Sequence, residues 1–440
     1  MEPVTLLVVG AGGRGTIYAG FAEAFPERAK LVGLAEPRDA YREPLVAAHA
    51  IPPDRVFTDW REAAARPKFA DAVIIATQDR MHVEPTVAFA ELGYHILLEK
   101  PMAPDAAGCR TIVEAVKRND VLFSVCHVLR YSRFTQRLKG IIRSGAIGEV
   151  VGLQHLEPVS FWHMAHSYVR GSWRREQESG PMLITKSCHD IDLIAYLMGE
   201  AWNEVASFGS LKHFRPEEAP PGAGERCVAC GIEAQCPYSA KRVYTAALQC
   251  GLKGWRVEVL TPDLTPEALA IALETGPYGR CVYHCDNDVV DHQVVSINFA
   301  GGRTAAFTMV AFTSPRDRET HIFGTRGELV GDGRYIEHYD FLTNTKTRID
   351  TDADVNASDL VLDKHGGGDY GLMDSFVNAV SKQDPSYILS GAEETLASHL
   401  LGFAAEQARR ERRVVRMDEP IEKAWWKEPH RTPALESCVR

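Results

Sequence analysis

No stretch of eighteen consecutive apolar residues occurs in this 440-residue chain, so no membrane-spanning helix is expected. There is no basic stripe: 49 Lys and Arg stand against 59 Asp and Glu, a formal charge of −10, which argues against nucleic acid as the main partner. No basic leader or cleavage-site pattern follows Met1, so the expected location is cytoplasmic. There is no internal repeat and no low-complexity tract, which sets repeat arrays aside. Disulfides do not persist in that compartment, so the ten cysteines need another explanation. Six fall between Cys227 and Cys285, and five of those are closely spaced, a pattern that favours metal over disulfides.

The chain is too long for one ordinary core, so two domains, or one with a large insertion, are expected. Composition is that of a globular protein, 45% apolar and 25% charged. Val4 to Val9 is a nearly continuous apolar run, as expected for a strand buried on both faces of a parallel sheet. It opens into Gly10-Ala11-Gly12-Gly13-Arg14-Gly15, a G-x-G-x-x-G, followed by a helix pattern through Phe25. A second strand, Leu31 to Glu36, ends in an acid 21 residues after Gly15. Strand, glycine turn, helix and acid in that order indicate a dinucleotide fold, with the pyrophosphate at a helix N-terminus. Strands at 71–76, 94–98 and 121–126 alternate with helices at 83–92 and 105–118, which predicts a doubly wound sheet ending near residue 128.

One of those strands ends abruptly in Glu99-Lys100-Pro101. Pro101 stops the strand, and a lysine at the carboxyl end of a buried parallel strand stands where open α/β sheets bind ligands. After residue 128 the pattern changes. Helices are predicted at 134–144 and 187–198, with strands at 149–158, 204–213, 291–300, 303–312, 319–324, 327–331, 335–339 and 344–349. Short turns between several of them indicate an open, mainly antiparallel sheet. Residues 214–286, rich in Pro, Gly and Cys, interrupt it with one helix at 265–274. Helices at 370–380 and 392–409 close this second domain, and 412–417 is a short strand candidate. Asp369 reads as an N-cap after the His365 glycine turn, and both residues are secondary site candidates. The expected organisation is a Rossmann domain over 1–128 and an α/β substrate and oligomerisation domain over 129–440.

These residues resemble the Gfo/Idh/MocA oxidoreductases: GAGGRG, Ala76-Thr77 with His82 five residues on, EKP at 99–101, SGAIGEV at 144–150 and GPMLITKSCHDIDLIAYL at 180–197. The resemblance covers nearly the whole chain in order. It implies a Rossmann domain paired with an α/β domain whose sheet faces the nicotinamide, and hydride transfer between NAD(P) and a carbinol of a sugar, polyol or cyclitol. It implies that Lys100 is catalytic and that His189 is the acid–base group, with Asp192 one helical turn on. It also places Gly10, Ala11, Gly12, Gly13, Arg14, Gly15, Glu36, Thr77, His82, Glu99 and Lys100 at the cofactor. The chain departs from the family at Thr185, where many members carry Asp; the neighbouring Lys186 then becomes a candidate contact for substrate or alkoxide.

The residue types suit that chemistry. Oxidation of CH–OH needs a group titrating near neutrality to take the hydroxyl proton, and a cation to stabilise the alkoxide. Glu36 favours NAD by accepting from ribose hydroxyls and repelling a 2′-phosphate; Arg14 and Arg38 are the counter-evidence for NADP. The segment from Phe161 to Arg174 supplies His163, His166, Tyr168, Arg170 and Trp173 as candidates for a polar-ring pocket, with interdomain or oligomer packing as the alternative. Two other functions fit the same parts: an NAD-dependent glycosidase or lyase working by transient oxidation, and a non-catalytic NAD(P)-binding sugar sensor. The partners expected are a small carbohydrate and further copies of the chain, with no nucleic acid and no membrane.

Cys227-x2-Cys230-x5-Cys236 and Cys281-x3-Cys285 flank the insert. Cys227, Cys230, Cys236 and Cys281, with Cys285 as the alternative fourth ligand, would satisfy a tetrahedral structural zinc and order a thin insert. Free thiols and an iron–sulfur cluster are the alternatives. Cys109, Cys126, Cys188, Cys250 and Cys438 read as isolated thiols.

Overall fold

The computed structural model describes residues 2–251, 254–353, 355 and 364–421; Cys438 and Trp425-Trp426 lie outside them. The first sheet has six strands: β1 (Val4–Val9), β2 (Ala29–Ala35), β3 (Val56–Phe57), β4 (Ala72–Ile75), β5 (His95–Leu98) and β6 (Phe123–Val125). All pair in parallel, in the order β3-β2-β1-β4-β5-β6. Leu6, Leu7, Val8 and Val9 are at most 1% exposed, because helices cover both faces. The two-residue β3 and the helices Asp39–His49 and Trp60–Ala64 are elements here that apolar periodicity misses. The order reverses between β1 and β4, and this opens a crevice beyond their carboxyl ends.

The second sheet collects β7 (Val150–Pro158), β8 (Trp202–Ser210), β9 (His292–Phe299), β10 (Thr304–Val310), β11 (Glu319–Gly324), β12 (Gly327–Gly331), β13 (Tyr335–Asp340), β14 (Thr345–Asp350) and β15 (Val415–Arg416). Their order is β14-β13-β12-β11-β7-β10-β9-β8-β15. Pairing is antiparallel except between β7 and β10. The exception follows from topology. β7 lodges between β10 and β11, which run in opposite directions, so it must be parallel to one of them.

Alternation then sorts the side chains. His155, Glu157, Val295, Ile297, Phe307 and Met309 are buried on the inner face, while Phe208 and Val294, paired across β8 and β9, are exposed on the other. The helices Cys188–Met198 and Ala392–Glu411 pack together against the inner side. The sequence assigned Gly368–Lys382 to the same domain, but it packs elsewhere. Its Leu372, Met373, Phe376 and Val377 join Leu6, Val8, Tyr18 and Phe21 in the core of the first sheet. The insert between β8 and β9 has its own small core of Val243, Tyr244, Val257, Leu269, Leu273 and Tyr278.

Candidate active site

The glycine turn after β1 shows two kinds of constraint. A Cβ on Gly10, whose φ is +92°, would lie 2.6 Å from the Ala76 carbonyl, and one on Gly15 would lie 1.9 Å from the Gly10 carbonyl. Those two glycines permit close approach of β4 and of the helix Gly13–Ala24 to β1. At Gly12 and Gly13 the added atom would meet open space, within 4 Å only Arg38 Nη2 at 3.9 Å from Gly12. An open cradle at the N-terminus of a twelve-residue helix fits a pyrophosphate. Glu36 is 2% exposed and accepts from the Ala11 amide at 2.8 Å and from Arg38 Nε at 2.7 Å. Burial works to raise its pKa, but Arg38 and the two amides outweigh it and hold the carboxyl below its usual value. A buried acid beside this cradle fits the ribose of a dinucleotide.

Arg14 turns away from that cradle. It donates to Glu99 Oε1 at 2.8 Å and also bonds Tyr18 Oη and Asp369 Oδ1. It thus tethers the Rossmann unit to the helix Gly368–Lys382 instead of reaching for a phosphate. Asp369 is not the N-cap; that position is Gly367, with φ +79°. His82 is fully buried, with Nδ1 at 2.8 Å from the Pro101 carbonyl and Nε2 at 3.2 Å from that of Thr77, so it braces the loop. Thr77 Oγ1 donates to the Met81 carbonyl within that turn.

Lys100 follows β5 as the strand pattern required. Its amide donates to Glu99 Oε2 at 2.8 Å, and its Nζ donates to the Thr185 carbonyl at 2.9 Å. A neutral backbone oxygen therefore faces the ammonium at the position where many family members carry Asp. Met102 N donates to Nε2 of His399, a histidine that nothing in the sequence pattern singled out.

His189 sits in the first turn of the helix Cys188–Met198. Its Nδ1 is buried with no hydrogen-bond partner, and the ring meets His127 edge-on at 5.8 Å. Burial, followed by the charges of Lys100, His127, Arg318 and His365, pushes its pKa well below that of a free imidazole. The ring is neutral at pH 7, the form that can accept a proton. Asp192 does not hold it. That carboxylate, 1% exposed, accepts from Arg130 Nε at 2.7 Å, from Arg130 Nη2 at 2.6 Å and from Ser398 at 2.8 Å.

Lys186 pairs with Glu157 at 3.0 Å, and Arg318 joins Glu157 at 2.8 Å to Asp190. His155 Nε2 completes the network 3.1 Å from Asp190. Glu157 and Arg318 escaped the sequence reading because a strand and a loop carry them without any motif. The segment from Phe161 to Arg174 divides. His163 stacks on Trp162 and lies 5.9 Å from Tyr168, which lies 6.1 Å from Trp173. Trp173 Nε1 donates to Asp79 at 3.3 Å, across from the first sheet. Burial, then the charges of Lys186, His166, Arg318 and Lys100, keeps His163 neutral, which places it with the site lysines. His166 and Arg170 instead serve the insert. His166 Nδ1 lies 3.0 Å from Tyr244 Oη; Arg170, 1% exposed, donates to the carbonyls of Arg280 and Tyr238.

The zinc expected in the insert is not supported. Cys227, Cys230, Cys236 and Cys281 do line one cavity, of about 10 Å³, together with Arg170. Yet among the described residues no three His, Cys, Asp or Glu side chains are grouped so as to hold a metal ion. The guanidinium of Arg170 lies 3.5 Å from Cys227 Sγ, so a positive charge is already beside that sulfur. Burial raises the thiol pKa of Cys236 and Cys281 and lifts that of Cys285 to about 11, against the opposing charge of Arg170. The insert's own apolar core answers the ordering problem that zinc was invoked to solve.

Two family descriptions match this chain: an oxidoreductase family with an NAD-binding Rossmann fold over residues 4–127, and the same family's C-terminal alpha/beta domain over 139–417. The protein belongs to the Gfo/Idh/MocA oxidoreductase family. It is 24% identical over 373 residues to the putative oxidoreductase YteT of Bacillus subtilis, covering 79% of this chain and 82% of that one. It is 27% identical over 207 residues to a myo-inositol 2-dehydrogenase of Thermotoga maritima, covering 46% and 58%. A levoglucosan dehydrogenase solved with NADH and levoglucosan shares the fold, with a TM-score of 0.69 at 16% identity over 95% of this chain and all of that one. Among the described residues no helix is long and apolar enough to cross a membrane.

Proposed function

We propose that this protein is an NAD-dependent dehydrogenase that oxidises or reduces a carbinol of a sugar, polyol or cyclitol. The observation that carries the reading is the approach of Lys100, at the carboxyl end of β5 in the sheet that carries the glycine cradle, to the buried, neutral His189. NAD, when bound, supplies the hydride acceptor. His189 accepts the hydroxyl proton, and the Lys100 ammonium, held by the Thr185 carbonyl, stabilises the oxygen as it gains negative charge. His163, Tyr168 and Trp173 offer ring faces and polar tips to the substrate, and Lys186, oriented by Glu157, contacts one of its oxygens. The inositol and levoglucosan dehydrogenases among the similar proteins support the substrate class.

The buried Glu36 supports NAD over NADP. The division into a cofactor unit over 1–128 and a substrate unit from 129 is supported by the two sheets on either side of it. Exposed Phe208 and Val294 on the open sheet face support a homo-oligomer that covers it. The test is a polyol and cyclitol panel in which NADH and product are measured together. Net dehydrogenation produces one NADH per product. Product without NADH would replace this reading with transient oxidation and elimination, and NAD binding without turnover would replace it with a sensor.

A further inference from the structure

His365 has a backbone φ of +54°, uncommon for a residue with a side chain and worth explaining where it borders a site. Its Nδ1 lies 3.0 Å from Asp369 Oδ2, and the other oxygen of Asp369 is taken by Arg14. Asp369 is fully buried, whereas the His365 side chain is 38% exposed. An acceptor at Nδ1 places the ring proton there and leaves Nε2 bare. The ring centre is 6.4 Å from that of His189, too far for the two rings to bond directly, so a proton passing between them needs an intervening water. His189 presents a buried Nδ1 with no partner.

The charged and titratable groups that bear on His189 are Lys100, Arg318, His127 and His365. Lys100 is already bonded to the Thr185 carbonyl, and Arg318 to Glu157 and Asp190. His127, 1% exposed, faces Asp192 at 3.6 Å and His399 in the interior and does not reach the surface. Of the two histidines, His365 is the one that combines an acidic partner with access to solvent. We infer that the His365–Asp369 pair is a proton relay that carries the substrate hydroxyl proton from His189 to solvent. This rests on the dehydrogenase reading above. The O–H bond breaks as an N–H bond forms on His189. The resulting imidazolium gives up its Nδ1 proton, through one water, to Nε2 of His365, which passes it to bulk water while Asp369 balances the transient charge. NAD, when bound, would take the electron pair from the carbon as hydride, so one proton and one hydride account for the oxidation.

The test compares His365→Asn and His365→Ala. Asparagine tolerates positive φ and its amide can donate to Asp369 as Nδ1 does, so it preserves a structural role but carries no proton. Both variants should lower kcat for oxidation by about 10- to 100-fold, leave the substrate KM near wild type, and make kcat rise with buffer concentration. Added imidazole should restore His365→Ala. In NAD-free protein, ¹⁵N shifts should show the His365 proton on Nδ1, with that preference lost in Asp369→Asn. A His365→Asn enzyme with wild-type, buffer-independent kcat would overturn the relay alone, as would a bare Nδ1. A wild-type protein that oxidises no carbinol would remove the dehydrogenase reading and the relay together.

Discussion

Lys100 and His189 should fail in different ways. Lys100→Ala removes stabilisation that acts mainly on the alkoxide-like transition state, so kcat should fall on the order of 10²–10³ with NAD affinity little changed. His189→Ala removes the base and should cost about 10²–10⁴. Because burial and the surrounding cations hold the imidazole well below 6.5, the acid limb of kcat/KM for oxidation should lie well below pH 6.5 and vanish in His189→Ala. A limb at or above 6.5 that survives the substitution would mean another group takes the proton. At the cofactor, Glu36→Ala removes the acceptor held by Ala11 and Arg38 and leaves that arginine unpaired. KM for NAD should rise and discrimination against NADP should relax. A wild type that already prefers NADP would reverse the assignment.

At the scale of the element, the helix Cys188–Met198 carries His189 but is fastened through Asp192. The bidentate bond from Arg130, itself 3% exposed, ties that helix to the end of the first sheet, and Ser398 ties it to the helix Ala392–Glu411. Asp192→Ala would strand the Arg130 guanidinium in the interior. Removing one partner of a buried pair costs about 3–5 kcal/mol, so urea midpoints should fall accordingly. Activity per folded molecule should fall far less than in His189→Ala, since Asp192 touches no ring nitrogen of His189. Equal loss of kcat in a fully folded Asp192→Ala protein would restore a catalytic role to the aspartate. The helix pattern made i+3 proximity legible, but not that a buried arginine had already claimed the carboxylate.

For the whole molecule, the buried histidines set the acid response. Burial pushes both His127 and His166 down to about 3, and lowers His163, His189 and His399 as well. Each is neutral when folded but free to protonate near 6.5 when unfolded. Their neutral burial therefore carries no penalty above pH 6.5. Stability is lost as pH falls from 6.5 toward the folded values, by about 1.4 kcal/mol per unit for each fully shielded ring. Glu99 and Asp192, whose pKa values are lowered, add to the loss only below the ordinary carboxylate range. Thermal midpoints should hold between pH 8 and 7 and drop steeply between 6 and 5. A flat profile down to pH 5 would show that these rings stay accessible to protons in the native state.

Local patterns sufficed for the parallel sheet, the glycine cradle, Glu36, Lys100 and most strands of the second sheet. Each depends on residues near in sequence: an apolar run, a turn that only glycine permits, an acid at a strand end. Tertiary structure decided the rest. It turned Arg14 toward Glu99 and Asp369, gave Asp192 to Arg130, moved His166 and Arg170 into the insert and sent the helix Gly368–Lys382 back to the first sheet. Cysteine spacing suggested a metal, yet the fold set the Arg170 guanidinium beside Cys227 and packed the insert around apolar side chains. Spacing along a chain limits which groups can meet. Which pair forms depends on competing partners far along the chain, 57 residues apart for Arg170 and Cys227 and 355 for Arg14 and Asp369, that only the packed chain brings within hydrogen-bond distance.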